Sequence, residues 1–167
     1  MFSPTRALGV SLAISLLLVM MWTPAGAAGP KTAETRLLER AVKLLPEAPG
    51  VPVRLIDPDL TPEPESLGRL DAFLVREANG KVRQVIYLNR RTAIVDNALA
   101  GKDVDVAILA AVIRHELEHL RGGSEREARR AERDLFQRLI FVGKVPVAEG
   151  LAYLADLEQD RQIREGR

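Results

Sequence analysis

The chain has 167 residues, of which 47 % are hydrophobic and 28 % are charged, and its formal net charge is +1. This length suits one domain, the hydrophobic share excludes a disordered chain, and the interspersed acidic and basic residues do not predict nucleic-acid binding. The absence of cysteine excludes disulfides, a thiol nucleophile, a lipidated N-terminal cysteine and cysteine-ligated zinc.

The N-terminal residues have the three-part pattern of a secretory signal peptide. A short segment ending at Arg6 precedes an apolar run over residues 7–22, and small residues follow up to Ala28. The run has 16 residues, fewer than the roughly 20 that a membrane-spanning helix needs, which favours a cleaved signal over an uncleaved anchor. We predict cleavage after Ala27, with Ala28 as the alternative, and a single mature domain over residues 28–167. The protein is then periplasmic or secreted and meets a membrane only through the signal peptide or the alternative anchor.

Periodicity and turn residues predict an α+β fold for the mature chain. Residues 32–45 have the apolar spacing of an amphipathic helix, and residues 51–56 are a strand candidate. Residues 57–67 contain three prolines and are predicted to be a loop.

A β-hairpin is predicted next. Residues 70–76 and 82–88 are its arms, and Asn79-Gly80 lies in the turn, a strong hairpin signal between apolar runs. The sequence leaves open whether the second arm is an edge strand.

Four more helices follow the hairpin. They are predicted over residues 90–100 before Gly101, from a cap at Asp103 or Asp105 to Leu120, from a capping box of Ser124 and Glu127 to about Phe141, and over residues 147–163. Gly122-Gly123 separates the second of these helices from the third, because paired glycines end a helix.

The helix that ends at Leu120 carries both histidines of the chain, in the pentapeptide HELEH at residues 115–119. His115 and His119 are four residues apart on one helix face, so their imidazoles can bind one metal ion. Glu116 then lies beside that ion, where it can accept a proton from metal-bound water. The H-E-x-x-H spacing is typical of zinc metallopeptidases.

The faces of this helix separate the histidines from its charged residues. Arg114, Glu118 and Arg121 form a polar face, whereas the histidines share their face with Ile108 and Val112. The stripe predicted to face the core consists of Val106, Leu109, Ala110, Ile113, Leu117 and Leu120. The histidines thus continue a partly apolar surface, which favours a metal pocket over an ordinary charged helix.

A catalytic zinc site needs a third protein ligand and an open position for water. With two histidines and no cysteine, that ligand must be Asp or Glu. At about 100° per residue, Glu125 and Glu132 lie on the apolar side of the next helix, and Glu127 lies opposite. A buried carboxylate is costly unless it is paired or bound to metal. The short connection makes the two helices antiparallel, with His119 and Glu125 near the turn.

About 25 residues here resemble the gluzincin clan of zinc metallopeptidases, in which H-E-x-x-H is followed by E-x-x-[AS]-[DN] on the next helix. Glu125 and Ala128 match this second pattern, whereas Arg129 stands where the clan has Asp or Asn. The resemblance implies that Glu125 is the third ligand. In the clan the missing acid or amide supports a zinc-bound histidine, and Glu132 is the substitute candidate for that role.

The resemblance further implies a small zincin-like domain, in which the hairpin and short sheet pack on the active-site helix and on the antiparallel helix that follows. It implies one Zn²⁺ per chain, bound by His115, His119 and Glu125, and a peptide or protein substrate. The clan also uses a His, Tyr or Arg to stabilise the oxyanion. Tyr87, Tyr153 and several arginines are candidates, and none is singled out.

We therefore predict a zinc metallopeptidase with Glu116 as the general base. One alternative is a catalytically inert zincin-fold module that binds metal or a partner in the cell envelope. Another is a helical accessory protein of the export pathway without metal. The intact Glu116 argues against the inert module, because such a site needs no base.

Overall fold

The computed structural model describes residues 32–61, 64–68, 70–77 and 79–165, with the side chains of the last helix described through residue 159. The predicted signal peptide and its cleavage site lie outside these residues. The described part is α+β, as the sequence predicts, with helices around a small three-stranded sheet. No helix within it is both long and apolar enough to cross a membrane.

The sheet has the strand order β1-β3-β2. Strand β1 (Val53–Ile56) pairs parallel with β3 (Ile86–Asn89), and β2 (Ala72–Phe73) pairs antiparallel with β3. The second arm of the hairpin is therefore the central strand, which the sequence left open. All four of its residues are buried.

The hairpin exists, and its pairings fall within the predicted arms over residues 70–76 and 82–88, but the arms do not pair continuously. Ala72 pairs with Leu88, whereas the isolated bridge nearer the turn joins Arg76 to Val82. Two more residues separate these points on the second arm than on the first. They are taken up where the Val85 N–H donates to the carbonyl of Arg83, at 2.8 Å. This bulge interrupts the ladder.

The segment over residues 57–67 is not the plain loop that its prolines suggested. It contains a 3-10 turn (Pro58–Leu60) and a one-turn helix, α2 (Pro64–Leu67). Asp57 caps the 3-10 turn by accepting a hydrogen bond from the Asp59 N–H. Pro58 and Pro64 are the first residues of these two elements, a position where a missing N–H costs nothing.

The longer helices all form, most with ends that differ slightly from the predicted ones. They are α1 (Ala33–Lys43), α3 (Ala93–Leu99), α4 (Asp103–Leu120), α5 (Glu125–Phe141) and α6 (Val147–Glu165). Helix α4 is central and packs against α1, α3, α5 and the sheet. Its predicted core stripe is buried as far as Leu117, and Leu120 is half-buried.

The predicted cap of α4 is wrong. The residue before the helix is Lys102, which makes no side-chain cap bond, so neither Asp103 nor Asp105 has that role. Asp103 pairs instead with Arg40 at 2.6 Å, and the buried Asp105 accepts a hydrogen bond from Asn97 at 3.2 Å. Both carboxylates therefore serve tertiary contacts, although their charge still suits the first turn of a helix.

Candidate metal centre

The turn between α4 and α5 brings the two helices together as the sequence predicts. Gly122 has a φ of +88°, and its N–H donates to the carbonyl of His119, while the Gly123 N–H donates to the carbonyl of Glu118. This is a Schellman ending, which favours glycine. The capping box of Ser124 and Glu127 then starts α5. His119 and Glu125 consequently lie on either side of the same tight turn.

Position 123 leaves no room for a side chain. A Cβ atom there would lie 2.7 Å from Cγ of Glu118 and 2.9 Å from the Glu118 carbonyl oxygen. The carbonyl of Gly123 is 3.1 Å from Nδ1 of His119. The close approach of the turn to α4 thus provides a backbone hydrogen bond for one of the two histidines.

Three side-chain atoms converge between the helices. Nε2 of His119 lies 3.1 Å from Nε2 of His115 and 3.2 Å from Oε2 of Glu125, and the third distance, from His115 to Glu125, is 3.6 Å. Metal–ligand bonds of about 2.0–2.2 Å in a tetrahedral zinc site place the ligands roughly 3.3–3.6 Å apart. The three residues therefore fit a zinc ion in size as well as in ligand type.

The Nδ1 atom of each imidazole points away from the three converging atoms and contacts a different group. Nδ1 of His119 faces the Gly123 carbonyl, which can only accept a hydrogen bond, so this nitrogen carries the proton. Nδ1 of His115 lies 2.9 Å from Oε2 of Glu132. When each imidazole is neutral with its proton on Nδ1, both histidines direct the Nε2 lone pair at the carboxylate of Glu125. Three lone pairs that face one another repel, and a bound cation removes that repulsion.

The charges around these residues shift the pKa values of His115 and Glu125 in opposite directions. Burial lowers the pKa of His115, but the hydrogen bond to Glu132 and the surrounding carboxylates outweigh it and raise that pKa. Burial raises the pKa of Glu125, but His115 and Arg129 outweigh it and lower that pKa. Glu125 is therefore ionised, as a metal-binding carboxylate must be.

Glu125 differs in one respect from the prediction that it faces inward. Its side chain is 53 % exposed, because it is the first residue of α5 and lies at the rim of the site. Arg129, one turn later, donates to its other oxygen at 2.7 Å. The arginine that departs from the gluzincin pattern thus contacts the third candidate ligand.

Glu132 and Glu127 lie where the helical phase predicts. The Glu132 side chain is 8 % exposed, and its Oε1 accepts a hydrogen bond from the hydroxyl of Tyr153 at 2.7 Å. Glu127 is exposed and completes the capping box. Neither Tyr153 nor the Gly123 carbonyl was assigned to these contacts from sequence. The signal for Tyr153 would have been that a buried carboxylate needs a partner for each oxygen; a backbone carbonyl leaves no such signal.

Glu116 lies in the same cleft as the three candidate ligands. Burial raises the pKa of Glu116, although His115 and His119 oppose the shift. The cleft has a volume of about 730 Å³, and its walls come from β2, α4, the turn, α5 and α6. A carboxylate with a raised pKa beside an open cleft suits the transfer of a proton near neutral pH.

The oxyanion candidates lie in different places. Tyr87 does not line the cleft; its ring stacks on Phe73, and its hydroxyl accepts a hydrogen bond from Arg83 at 3.4 Å. Burial raises the pKa of Tyr153, whose proton is committed to Glu132. Arg76 and Arg129 are the arginines that line the cleft.

Comparisons of the chain with family models, with curated proteins and with solved structures find no match. The geometry of the described residues is therefore the basis for assigning a function.

Proposed function

We propose that this chain is an exported zinc-dependent peptide hydrolase with a small zincin-like domain. His115, His119 and Glu125 hold one zinc ion, and Glu116 is the general base. The observation that carries the proposal is the triangle of donor atoms, with edges of 3.1, 3.2 and 3.6 Å, formed while both Nδ1 atoms are engaged elsewhere. Metal-ligating histidines almost always have their second ring nitrogen hydrogen-bonded, and both histidines here do.

The chain's own residues have separable tasks in this proposal. Zinc, when bound, would polarise the scissile carbonyl and lower the pKa of a coordinated water. Glu116 is the residue that would accept a proton from the attacking water and pass it to the leaving amine. Glu132 holds Nδ1 of His115 and the Gly123 carbonyl holds Nδ1 of His119, so that each Nε2 remains a ligand. Arg129 or Arg76 is the candidate donor to the oxyanion, because both line the cleft.

A second candidate is a module of the same fold that binds metal without hydrolysis. One observation favours it: the hydroxyl of Tyr153 is committed to Glu132, and Tyr87 lies away from the cleft. The first candidate is better supported, because Glu116 is half-buried beside the ligands and burial raises its pKa. A metal site without hydrolytic activity would need no general base.

Glu116→Gln tests the proposed base, with Glu118→Gln as its matched control. Both changes remove one carboxylate from the same helix, but Glu118 pairs with Arg114 at 3.1 Å and does not line the cleft. We expect Glu116→Gln to retain zinc and to lose cleavage of a mixed peptide library, whereas Glu118→Gln retains both. Cleavage by Glu116→Gln at the wild-type rate would show that Glu116 is not the base. Loss of zinc in Glu116→Gln would show that Glu116 is a ligand.

A further inference from the structure

Glu132 is a buried carboxylate with both oxygens engaged. Its Oε2 lies 2.9 Å from Nδ1 of His115, and its Oε1 accepts the hydrogen bond from Tyr153 at 2.7 Å. Tyr153 is 21 residues farther along the chain, on α6. A chain of two hydrogen bonds thus joins the C-terminal helix to a candidate metal ligand.

Packing fixes the tyrosine ring at this position. Its centroid lies 4.4 Å from that of Phe136, which is fully buried one turn after Glu132 on α5. Nearby, α6 approaches α5 so closely that a Cβ on Gly150 would lie 2.5 Å from side-chain atoms of Ile140. The hydroxyl of Tyr153 is therefore placed by the helix–helix contact, and the hydrogen bond does not depend on a mobile side chain.

The second hydrogen bond matters because of the way a carboxylate holds an imidazole. A carboxylate bound through one oxygen can still rotate about its terminal bond, and the imidazole that it supports can follow. A donor on the other oxygen fixes the carboxylate plane. Burial strengthens both hydrogen bonds, because little water reaches the oxygens of a side chain that is 8 % exposed.

We propose that Tyr153 is a positioning residue of the metal centre: acting through Glu132, it fixes the ring of His115 so that Nε2 points at the metal. The inference rests on the proposed metal site and extends it, because it makes α6 a component of the site. The tyrosine itself does not touch the metal or the substrate.

Tyr153→Phe tests the inference, with Tyr87→Phe as the matched control. The chain has two tyrosines, and each variant removes one hydroxyl and keeps the ring. Loss of a partner directly behind a metal ligand weakens metal affinity by about 10–100-fold. Tyr153 lies one hydrogen bond farther from the metal, so we expect Tyr153→Phe to weaken zinc affinity by about tenfold, and less than Glu132→Ala does, in competition with a chromophoric chelator. Tyr87→Phe should bind zinc as the wild type does. Equal affinity in all three proteins would overturn the inference.

Two further measurements separate positioning from a general loss of packing. In the background of Glu132→Gln, Tyr153→Phe should cause no further loss of zinc affinity, because the tyrosine acts through that carboxylate. An additive loss would overturn the inference. The visible spectrum of bound Co²⁺ should also change in Tyr153→Phe and not in Tyr87→Phe, and an unchanged spectrum would again contradict it.

A third measurement does not depend on the folding of Tyr153→Phe. In Tyr87→Phe protein the one remaining tyrosine is Tyr153, so its resonances are assigned without further work. We expect a slowly exchanging hydroxyl proton whose NMR shift moves when zinc is added. A fast-exchanging hydroxyl, or ring resonances that do not respond to zinc, would overturn the inference. If the wild type itself binds neither zinc nor cobalt, both the proposed metal site and the inference are wrong. If the wild type binds metal and Tyr153→Phe binds it equally well, only the inference is wrong.

Discussion

Glu125→Ala and Glu127→Ala form a matched pair that tests the third ligand. Both changes remove one negative charge from the first turn of α5, two residues apart. Oε2 of Glu125 lies 3.2 and 3.6 Å from the two Nε2 atoms, whereas Glu127 is turned away and caps the helix through Ser124. The pair therefore separates metal binding from helix capping.

The expected loss for Glu125→Ala follows from the number of ligands. Zinc binding to small domains through four protein ligands provides about 10–16 kcal/mol. One ligand's share of that binding free energy is on the order of 3–4 kcal/mol, or roughly 10²–10³-fold in affinity. Glu127→Ala should leave zinc affinity unchanged and lower the melting temperature, because the capping box is lost.

Zinc affinity is measured by chelator competition and helix stability by thermal unfolding of the metal-free proteins. If Glu127→Ala lost zinc while Glu125→Ala kept it, both the helical phase and the ligand assignment would be refuted.

Three further outcomes follow from the same contacts. Glu132→Ala should weaken zinc binding by about 10–100-fold, less than Glu125→Ala does, and equal losses would show that Glu132 is itself a ligand. Gly123→Ala should also weaken zinc binding in the same assay, since its Cβ would lie 2.9 Å from the Glu118 carbonyl oxygen and displace the turn that holds His119; unaltered binding would show that the turn adapts. Zinc at about 100 times its Kd should stabilise the wild type by roughly 2.7 kcal/mol in thermal unfolding, reversed by a chelator, and no shift would exclude tight binding to the folded state.

The helices around the site were predictable because their signals are local. The apolar stripe of α4, the glycine pair after it and the capping box before α5 each act within a few residues. Together they also predict the burial of Glu132 and the exposure of Glu127, since a regular helix has a fixed phase. The cap of α4 was mispredicted, because Asn97 and Arg40 draw Asp105 and Asp103 into tertiary contacts.

The parts that were not predictable depend on distant segments or on the backbone. The bulge at Arg83 and Val85 interrupts the hairpin ladder, and no turn residue in the sequence marks it. Tyr153 reaches Glu132 because α6 packs closely on α5 at Gly150. The acceptor for Nδ1 of His119 is the backbone carbonyl of Gly123. Because every residue has such a carbonyl, no sequence pattern identifies this one.

The amount of zinc bound at equilibrium by the purified protein tests the central claim most directly. Dialysis against a zinc-containing buffer, followed by elemental analysis, should give one zinc per chain, and a His115→Ala, His119→Ala double variant with native circular dichroism should give none. A wild-type stoichiometry near zero, in protein with the circular dichroism of a folded α+β chain, would contradict the account.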